Sequence, residues 1–413
     1  MIDDSDQNQN PESDPVARYE EERSDSSLLT DMTGAGRVDW RNNILIPLLA
    51  ILSALIVGAI IIAFSDVDTL RLWGSDPGEA LSVTATTIKD AYVALFEGAF
   101  GGIGPISETL TRAAPLILAG LAVAIGFQAG LFNIGANGQA LIGGMFALVV
   151  GFQFSLPVFI HLPLIIIAGL IGGGIWGAIP GYLRAKTGAH EVITTIMLNF
   201  IALRLVDWLL TQSFFQLEGR SDPVSKSVMD SARYTKLLDW LNPRYRVHLG
   251  FIVAILAATF VWWLLYRSTL GFEFRTVGAN PDGARYAGMN VVFLIVSVMA
   301  VAGSMAGLAG VDLVSGTLGR ATPGFIGMIG FDAIALALLG RSHPFGVVAA
   351  GILFGALAAG GQNMQVSTNV GIDIVQVIQA LIIVFIAAPA LVKAVYRVRG
   401  ETRGIEVSSG WAT

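Results

Sequence analysis

Ile44-Leu-Ile-Pro-Leu-Leu-Ala-Ile-Leu-Ser-Ala-Leu-Ile-Val-Gly-Ala-Ile-Ile-Ile-Ala-Phe64 is an apolar run without one charged residue, flanked on its N-terminal side by Arg37 and Arg41. At a helical rise of about 1.5 Å per residue, such a run covers roughly 30 Å, the hydrocarbon thickness of a bilayer. Further apolar stretches follow at 113–130, 140–157, 162–181, 192–210, 250–266, 291–312, 325–340, 345–361 and 372–391. Ten transmembrane helices are therefore expected, and the fold class is an all-α integral membrane protein. Residues 65–112 are mixed: a charged stretch from Asp66 to Glu79 precedes Ala91–Ile106, which reads as interfacial or partly inserted.

Composition agrees. The chain has 413 residues, of which 54% are hydrophobic and only 14% charged. A soluble domain carries nearer a quarter charged residues, so lipid must solvate part of this surface. Forty-eight glycines would weaken soluble helices, but in membrane bundles they let backbones approach closely. Cysteine is absent, which excludes disulfides, thiolate metal sites and a cysteine nucleophile.

Charge divides the chain. Residues 1–31 hold ten acids against Arg18 and Arg23, a net −8, so the remainder of a chain of net −6 carries +2. Residues 1–40 are expected to form a disordered acidic tail on the cytoplasmic side. The transmembrane domain is expected over 41–395, with a second cytoplasmic tail at 396–413. An even number of spans puts both termini on one side. Arg184, Lys186, Arg267, Arg275, Arg285, Lys393, Arg397, Arg399 and Arg403 fall on that side, which makes it cytoplasmic by the positive-inside rule. The segment 211–249 is then external; its six basic residues oppose the rule, which long external segments obey poorly. The expected location is the plasma membrane, spanned many times.

Gly169, Gly173, Gly177 and Gly181 recur at four-residue spacing, as do Gly303 with Gly307 and Gly351 with Gly355 and Ala359. These are packing stripes. Gly172-x-Gly174-x-x-Gly177 matches a dinucleotide fingerprint only formally, because it lies inside an apolar helix. No phosphate-binding G-x-x-x-x-G-K-[ST] loop exists, and His161, His190, His248 and His343 are scattered. No cofactor or metal is expected in this chain, and no enzyme is supported. Two Gly-punctured stretches, Leu131–Val150 and Phe325–Val348, look alike. Two readings stand, an internal repeat whose broken segments flank a solute path or merely shared composition.

Four constellations carry function. In Gly278-Ala-Asn280-Pro281-Asp-Gly-Ala284-Arg285-Tyr286-Ala-Gly288-Met289, Asn280 suits an N-cap, Pro281 the first helical position and Gly288 a left-handed stop. This predicts a short capped helix within the cytoplasmic loop 267–290, a rigid knob for a soluble partner. In Ala129-Gly-Leu-Phe132-Asn133-Ile-Gly-Ala-Asn137-Gly-Gln139, neutral amides and glycines break an apolar stretch; Asn133, Asn137 and Gln139 either meet a polar, uncharged solute or cap the two helix ends. In His190-Glu191-Val-Ile-Thr-Thr-Ile-Met-Leu-Asn199, Glu191 suits the positive end of a helix. Asn199 lies two turns inward, lining a path or bonding another helix. In Gly330-Phe-Asp332-Ala-Ile-Ala-Leu-Ala-Leu-Leu-Gly340-Arg341, Asp332 is a helix cap, favoured, or a pore-mouth group.

The first constellation resembles the coupling helix of ABC importer permeases of the branched-chain amino acid, simple-sugar and nucleoside class, where a G-x-N-x-x-A-A-x-Y-x-G-I/M pattern docks on the ATPase. Gly283 and Arg285 depart from its small pair. The second resembles the GLFNIGAEGQ motif of the nucleoside and simple-sugar branch, with Asn137 in place of its Glu. The third resembles that branch's N-E-V-I-x-T-I-M-L-N-Y-I-A segment, with His190 in the first Asn position, and the fourth resembles the family's G-x-x-x-I-A-V-A-L-L-G-R-x-x-P signature. The resemblance spans about residues 113–391 and implies an importer permease that moves a nucleoside or simple sugar inward. It implies coupling to ATPase subunits through Arg275, Gly278, Asn280, Pro281, Ala284, Arg285, Tyr286 and Gly288, and a solute path near Phe132, Asn133, Asn137, Gln139, Asn199 and Asp332. ATP and magnesium would sit on the partner ATPase. Other implied partners are a second permease, alike or not, and an external solute-binding protein; no nucleic acid is implied. The alternative is a secondary transporter driven by an ion gradient. It would need an intramembrane carboxylate, and Glu191, Asp207, Asp312 and Asp332 all sit near span ends.

Overall fold

The computed structural model describes residues 45–65, 67–368, 370–388, 392, 395 and 396. The expected tails, 1–40 and all of 396–413 but its first residue, lie outside them. By contacts the chain divides into Met1–Leu48 and Leu49–Thr413. Of the first unit, only the start of one helix is described; the second unit holds the bundle.

The described residues form α1 (Ile46–Ser65), α2 (Val67–Ser75), α3 (Pro77–Phe100), α4 (Ile103–Gln128), α5 (Ala136–Gln153), α6 (Val158–Thr187) and α7 (Glu191–Leu210). After the segment 211–248 come α8 (Leu249–Arg267), α9 (Thr269–Ala279), α10 (Pro281–Tyr286) and α11 (Val291–Val311). A π-helix (Asp312–Leu318) extends α11, and α12 (Ile329–Leu339), α13 (Pro344–Ser367) and α14 (Ile372–Ala387) complete the bundle. Each of the ten expected spans falls on one of these helices. Seven of the described helices are long and apolar enough to cross a membrane, and α12 and α14 are shorter apolar ones.

The outer faces state the solvent. Ile167, Ile171 and Ile175 stand exposed at four-residue spacing on α6, and Ile193, Met197 and Phe200 on α7 and Leu256, Phe260 and Trp263 on α8 stand exposed at spacings of four and three. Ribs of large apolar side chains on this scale are tolerated only against lipid. The chain is a multi-pass membrane protein.

Inside, the glycine stripes do what their spacing predicts. Gly169, Gly173 and Gly177 of α6 lie against Gly303 and Gly307 of α11, and a methyl group at Gly173 would overlap the Gly303 carbonyl oxygen. Gly351 and Gly355 of α13 seat on Ile117, Thr109 and Ala113 of α4. These two seams are related. The order long helix, irregular Gly-rich segment, shorter helix, long helix occurs as α4–α6 and again as α11–α13. The first helix of each triplet packs on the last helix of the other. The arrangement favours an internal repeat over shared composition.

The mixed region 65–112 differs from expectation. Instead of an interfacial piece at Ala91–Ile106, α3 runs unbroken for 24 residues. Asp76 caps it, its Oδ1 accepting from the Gly78 and Glu79 amides at 3.0 and 3.1 Å, with Pro77 in the first turn. It packs on α13, where the Asn363 side chain donates to the Ala94 carbonyl at 2.8 Å. Helix α4 also begins ten residues earlier than the apolar run at 113–130, because its charges are paired. Glu108 meets Arg112 at 2.8 Å and Arg246 at 3.3 Å.

The segment 211–248 is strapped to the bundle by its backbone. Val228 and Tyr234 amides donate to the Gly319 and Ser315 carbonyls at 3.0 and 2.9 Å, and the Ser107 hydroxyl accepts from the Arg246 and Val247 amides at 2.9 and 2.8 Å.

Candidate translocation site and coupling face

Helix α4 ends at Gln128 in a Schellman motif. The Leu131 amide bonds the Gly126 carbonyl at 2.9 Å and the Gly130 amide bonds Phe127 at 3.1 Å, with Gly130 left-handed at φ 66°. The chain then runs irregularly to Ala136. Irregular backbone at membrane depth survives only if its polar groups find protein partners, and here the amides supply them. Asn133 and Gln139, both buried, exchange two hydrogen bonds at 2.9 and 3.0 Å, and Asn133 Oδ1 also accepts from the Gly135 amide at 3.0 Å. From α7, Asn199 Oδ1 accepts from the Gly138 amide at 2.8 Å while its Nδ2 donates to the Ile134 carbonyl at 2.9 Å. Asn133 thus bonds backbone at the N-terminal end of α5, Gln139 holds Asn133, and Asn199 bonds from α7 both to that end of α5 and to the break before it.

Asn137 does something else. Its Nδ2 donates to the Gly327 carbonyl at 3.2 Å, and its Oδ1 accepts from the Gly330 amide at 3.0 Å. It thereby joins the two Gly-broken segments and caps α12 from outside. This corrects the favoured reading of Asp332. The N-cap of α12 is Met328, without a side-chain bond of its own, and Asp332 is in the helix's first turn rather than at its cap. Asp332 is half-buried, and Phe331 and Met328 beside it are exposed. Phe132 stacks obliquely on Phe127 with ring centroids 4.9 Å apart. Asn137 thus joins the N-termini of α5 and α12, with Asp332 in the first turn of α12 and Phe132 on the break before α5.

The loop 267–290 folds as two helices. Asn280 ends α9 and caps α10, accepting the Gly283 amide at 2.8 Å, with Pro281 first in the helix. Gly288 stops α10 at φ 82° in a second Schellman motif, the Met289 amide reaching the Ala284 carbonyl at 3.0 Å. Ala284 is buried, Arg285 pairs with Asp282 at 2.8 Å, and the Tyr286 side chain is 98% exposed. The expected short capped helix is there, but Ala284, Arg275 and Gly278 of the coupling set are turned toward the bundle. Arg275 lies over the Tyr266 ring at 5.4 Å. Gly278 abuts Ala129 and Gly130 of the α4–α5 break so closely that a methyl group would overlap the Ala129 carbonyl carbon.

Sequence reasoning misses the inner side of this face. Gln128 Nε2 reaches both the Tyr266 hydroxyl and the Ser342 carbonyl at 3.3 Å, which links the ends of α4, α8 and α12. Only the polar Gln128 closing an apolar run hints at it. Glu191, by contrast, is the first residue of α7 as expected, and is paired with Arg184 at 3.0 Å. Arg204 and Asp207 pair at 3.5 Å. Among the described residues, no three His, Cys, Asp or Glu side chains gather to hold a metal.

Residues 106–387 match the family model described as branched-chain amino acid transport system / permease component. The chain is 39% identical to the guanosine ABC transporter permease protein NupP of Bacillus subtilis, over 86% of this chain and 96% of that protein. It is 35% identical to a glucose ABC transporter permease protein of Haloferax volcanii, over 85% of this chain and 89% of that protein. It is also 35% identical to the nucleoside ABC transporter permease protein NupB of Lactococcus lactis, over 85% of this chain and 92% of that protein. No solved structure matches.

Proposed function

For a chain that belongs to the branched-chain amino acid transport permease family, and so is a non-catalytic membrane subunit of an ABC transporter, we propose that its cargo is a neutral nucleoside or simple sugar, carried inward. The observation that carries this reading is the junction at Asn137, which bonds Gly327 and Gly330 where two broken helices meet. The groups that Asn137 joins are uncharged, with the Asp332 carboxylate in the first turn of α12, and Phe132 and Phe331 supply aromatic surface beside them. Amides, helix N-termini and aromatic faces suit hydroxyl-rich, uncharged rings. The guanosine and nucleoside transport named for two relatives puts nucleosides before sugars.

An ABC permease works with ATPase and solute-binding partners, and their arrangement here is part of the proposal. Both termini and the loop 267–290 face the cytoplasm, where Arg184, Lys186, Arg267, Arg275 and Arg285 cluster by the positive-inside rule. ATPase subunits, holding ATP and magnesium, grip α10 through Tyr286 and its exposed neighbours. A second permease, a copy of this chain or a sister, completes the path. The solute-binding protein docks on 211–248, where Trp240 and Leu241 stand exposed. Motion of α9 and α10 reaches the path through Gly278 against Gly130. A ligand or partner shifts an equilibrium only by differential contact energy, so the ATPase must touch α10 differently in its two states.

Uptake of labelled guanosine and glucose into vesicles containing this chain with its ATPase tests the reading. Nucleoside uptake that unlabelled nucleosides compete away, and glucose does not, is expected. Uptake of a charged amino acid with neither of these would contradict it.

A further inference from the structure

Where the segment 211–248 meets the π-helix, four side chains carry polar atoms with no hydrogen-bond partner. These atoms are both carboxylate oxygens of Asp312, Ser315 Oγ, Tyr234 Oη and His248 Nε2. All four residues are buried, with Asp312 at 0% and Tyr234, the most accessible, at 4%. They are held together. The Tyr234 amide bonds the Ser315 carbonyl at 2.9 Å, the Tyr234 and His248 rings lie 5.8 Å apart, and His248 Nδ1 stands 3.8 Å from Asp312 Oδ1. Two glycines clear the space around them. A methyl group on Gly250 would overlap Asp312 Oδ1, and one on Gly316 would overlap the His248 ring.

A buried carboxylate needs a counter-charge or donors. His248 supplies neither in this arrangement. Its Nδ1 accepts the Gly250 amide at 3.2 Å, which leaves no proton on that nitrogen to offer Asp312. The same position at the N-terminus of α8 disfavours a positive ring. The guanidiniums that neighbour Tyr234 and His248 in the chain pair with other carboxylates, Arg246 with Glu108 at 3.3 Å and Arg233 with Asp230 at 3.9 Å. Ser315, three residues on from Asp312 in the π-helix, and Tyr234, tied to Ser315 through its amide, bring two hydroxyls into the same buried cluster, and an all-oxygen set that includes a carboxylate suits a hard cation. π-helices concentrate at functional sites, and this one carries both Asp312 and Ser315.

We propose that Asp312, Ser315 and Tyr234 bind one small alkali-metal cation, sodium in kind, which pins the π-helix to the 211–248 segment. The site shares no residue with the Asn137 junction and does not depend on which solute is carried. It requires no ion gradient, since the ion is a fixed structural partner.

The test is thermal unfolding of the full-length chain in lipid nanodiscs, with sodium, potassium or choline chloride at fixed ionic strength and fixed pH. Sodium is expected to raise the midpoint above choline in a saturable way, and Asp312→Asn to abolish the rise. Ser315→Ala and Tyr234→Phe, which nearly keep the side-chain volume, are expected to weaken the apparent sodium affinity about 10-fold each. If Asp312→Asn does not fold, these two decide. Equal midpoints in sodium and choline, a sodium response kept by Asp312→Asn or by both hydroxyl variants, or stabilisation by falling pH alone would overturn the proposal.

Discussion

The backbone of Gly130 lies against that of Gly278: a methyl group on Gly130 would stand 2.8 Å from the Gly278 carbonyl oxygen. One glycine ends α4 at the break that leads to Asn137, and the other lies in the last turn of α9, just ahead of α10. Two backbones in direct contact transmit a push without the slack of a side chain.

Gly278→Ala is therefore expected to separate ATP hydrolysis from uptake. Overlap with Ala129 must move α9 or the break, at a cost of about 1–3 kcal/mol for an overpacked contact. The ratio of solute moved to ATP consumed in proteoliposomes should fall several-fold while hydrolysis continues. An unchanged ratio would remove this contact from the coupling route.

Tyr286→Ala should leave stability alone. The side chain is exposed, and surface changes of this kind stay within about 0.5 kcal/mol. The unfolding midpoint in nanodiscs should hold while uptake with the ATPase is lost. Loss of both together would make Tyr286 a folding residue rather than a docking one.

Asn199→Leu strips partners from the Gly138 amide and the Ile134 carbonyl at once. A buried polar group left unmet costs about 1–3 kcal/mol, so two such groups predict a loss of about 2–6 kcal/mol in thermal or denaturant unfolding. Asn137→Ala, at a part-exposed position, should cost less stability and more transport. The reverse ranking would exchange their roles.

Gly173→Leu should prevent α6 and α11 from closing, because even a methyl group there overlaps Gly303. Little folded protein should be recovered by size-exclusion chromatography in detergent, and Gly173→Ala should be intermediate. Wild-type recovery of Gly173→Leu would mean that the seam is not tight.

Most of the fold is legible in the sequence because lipid imposes a simple grammar. Each run as apolar as Ile44–Phe64 must be a helix, and Gly169, Gly173 and Gly177 announce their seam by spacing alone. The short helix at Pro281–Tyr286 is equally legible, since Asn280, Pro281 and Gly288 are local signals. The helix Pro77–Phe100 is not, because Lys89 and Asp90 interrupt its apolar character while Ala91 and Ala94 pack on α13. The roles of the amides are hidden for another reason. Asn133, Asn137 and Asn199 have the same chemistry, and only the fold decides that two of them mend a broken backbone and one joins two breaks. Asp312 is visible as a carboxylate near a span end with Ser315 three residues on, but nothing local brings Tyr234 and His248 into their cluster.

If α10 transmits work from a separate ATPase, solute accumulation in proteoliposomes is the most direct test. The vesicles hold this chain and its ATPase, with ATP supplied to the ATPase face or with only an ion gradient imposed. Accumulation that needs ATP, survives an ionophore and disappears when residues 281–286 are scrambled is predicted. Accumulation driven by the ion gradient alone, or undiminished by the scrambled helix, would contradict it.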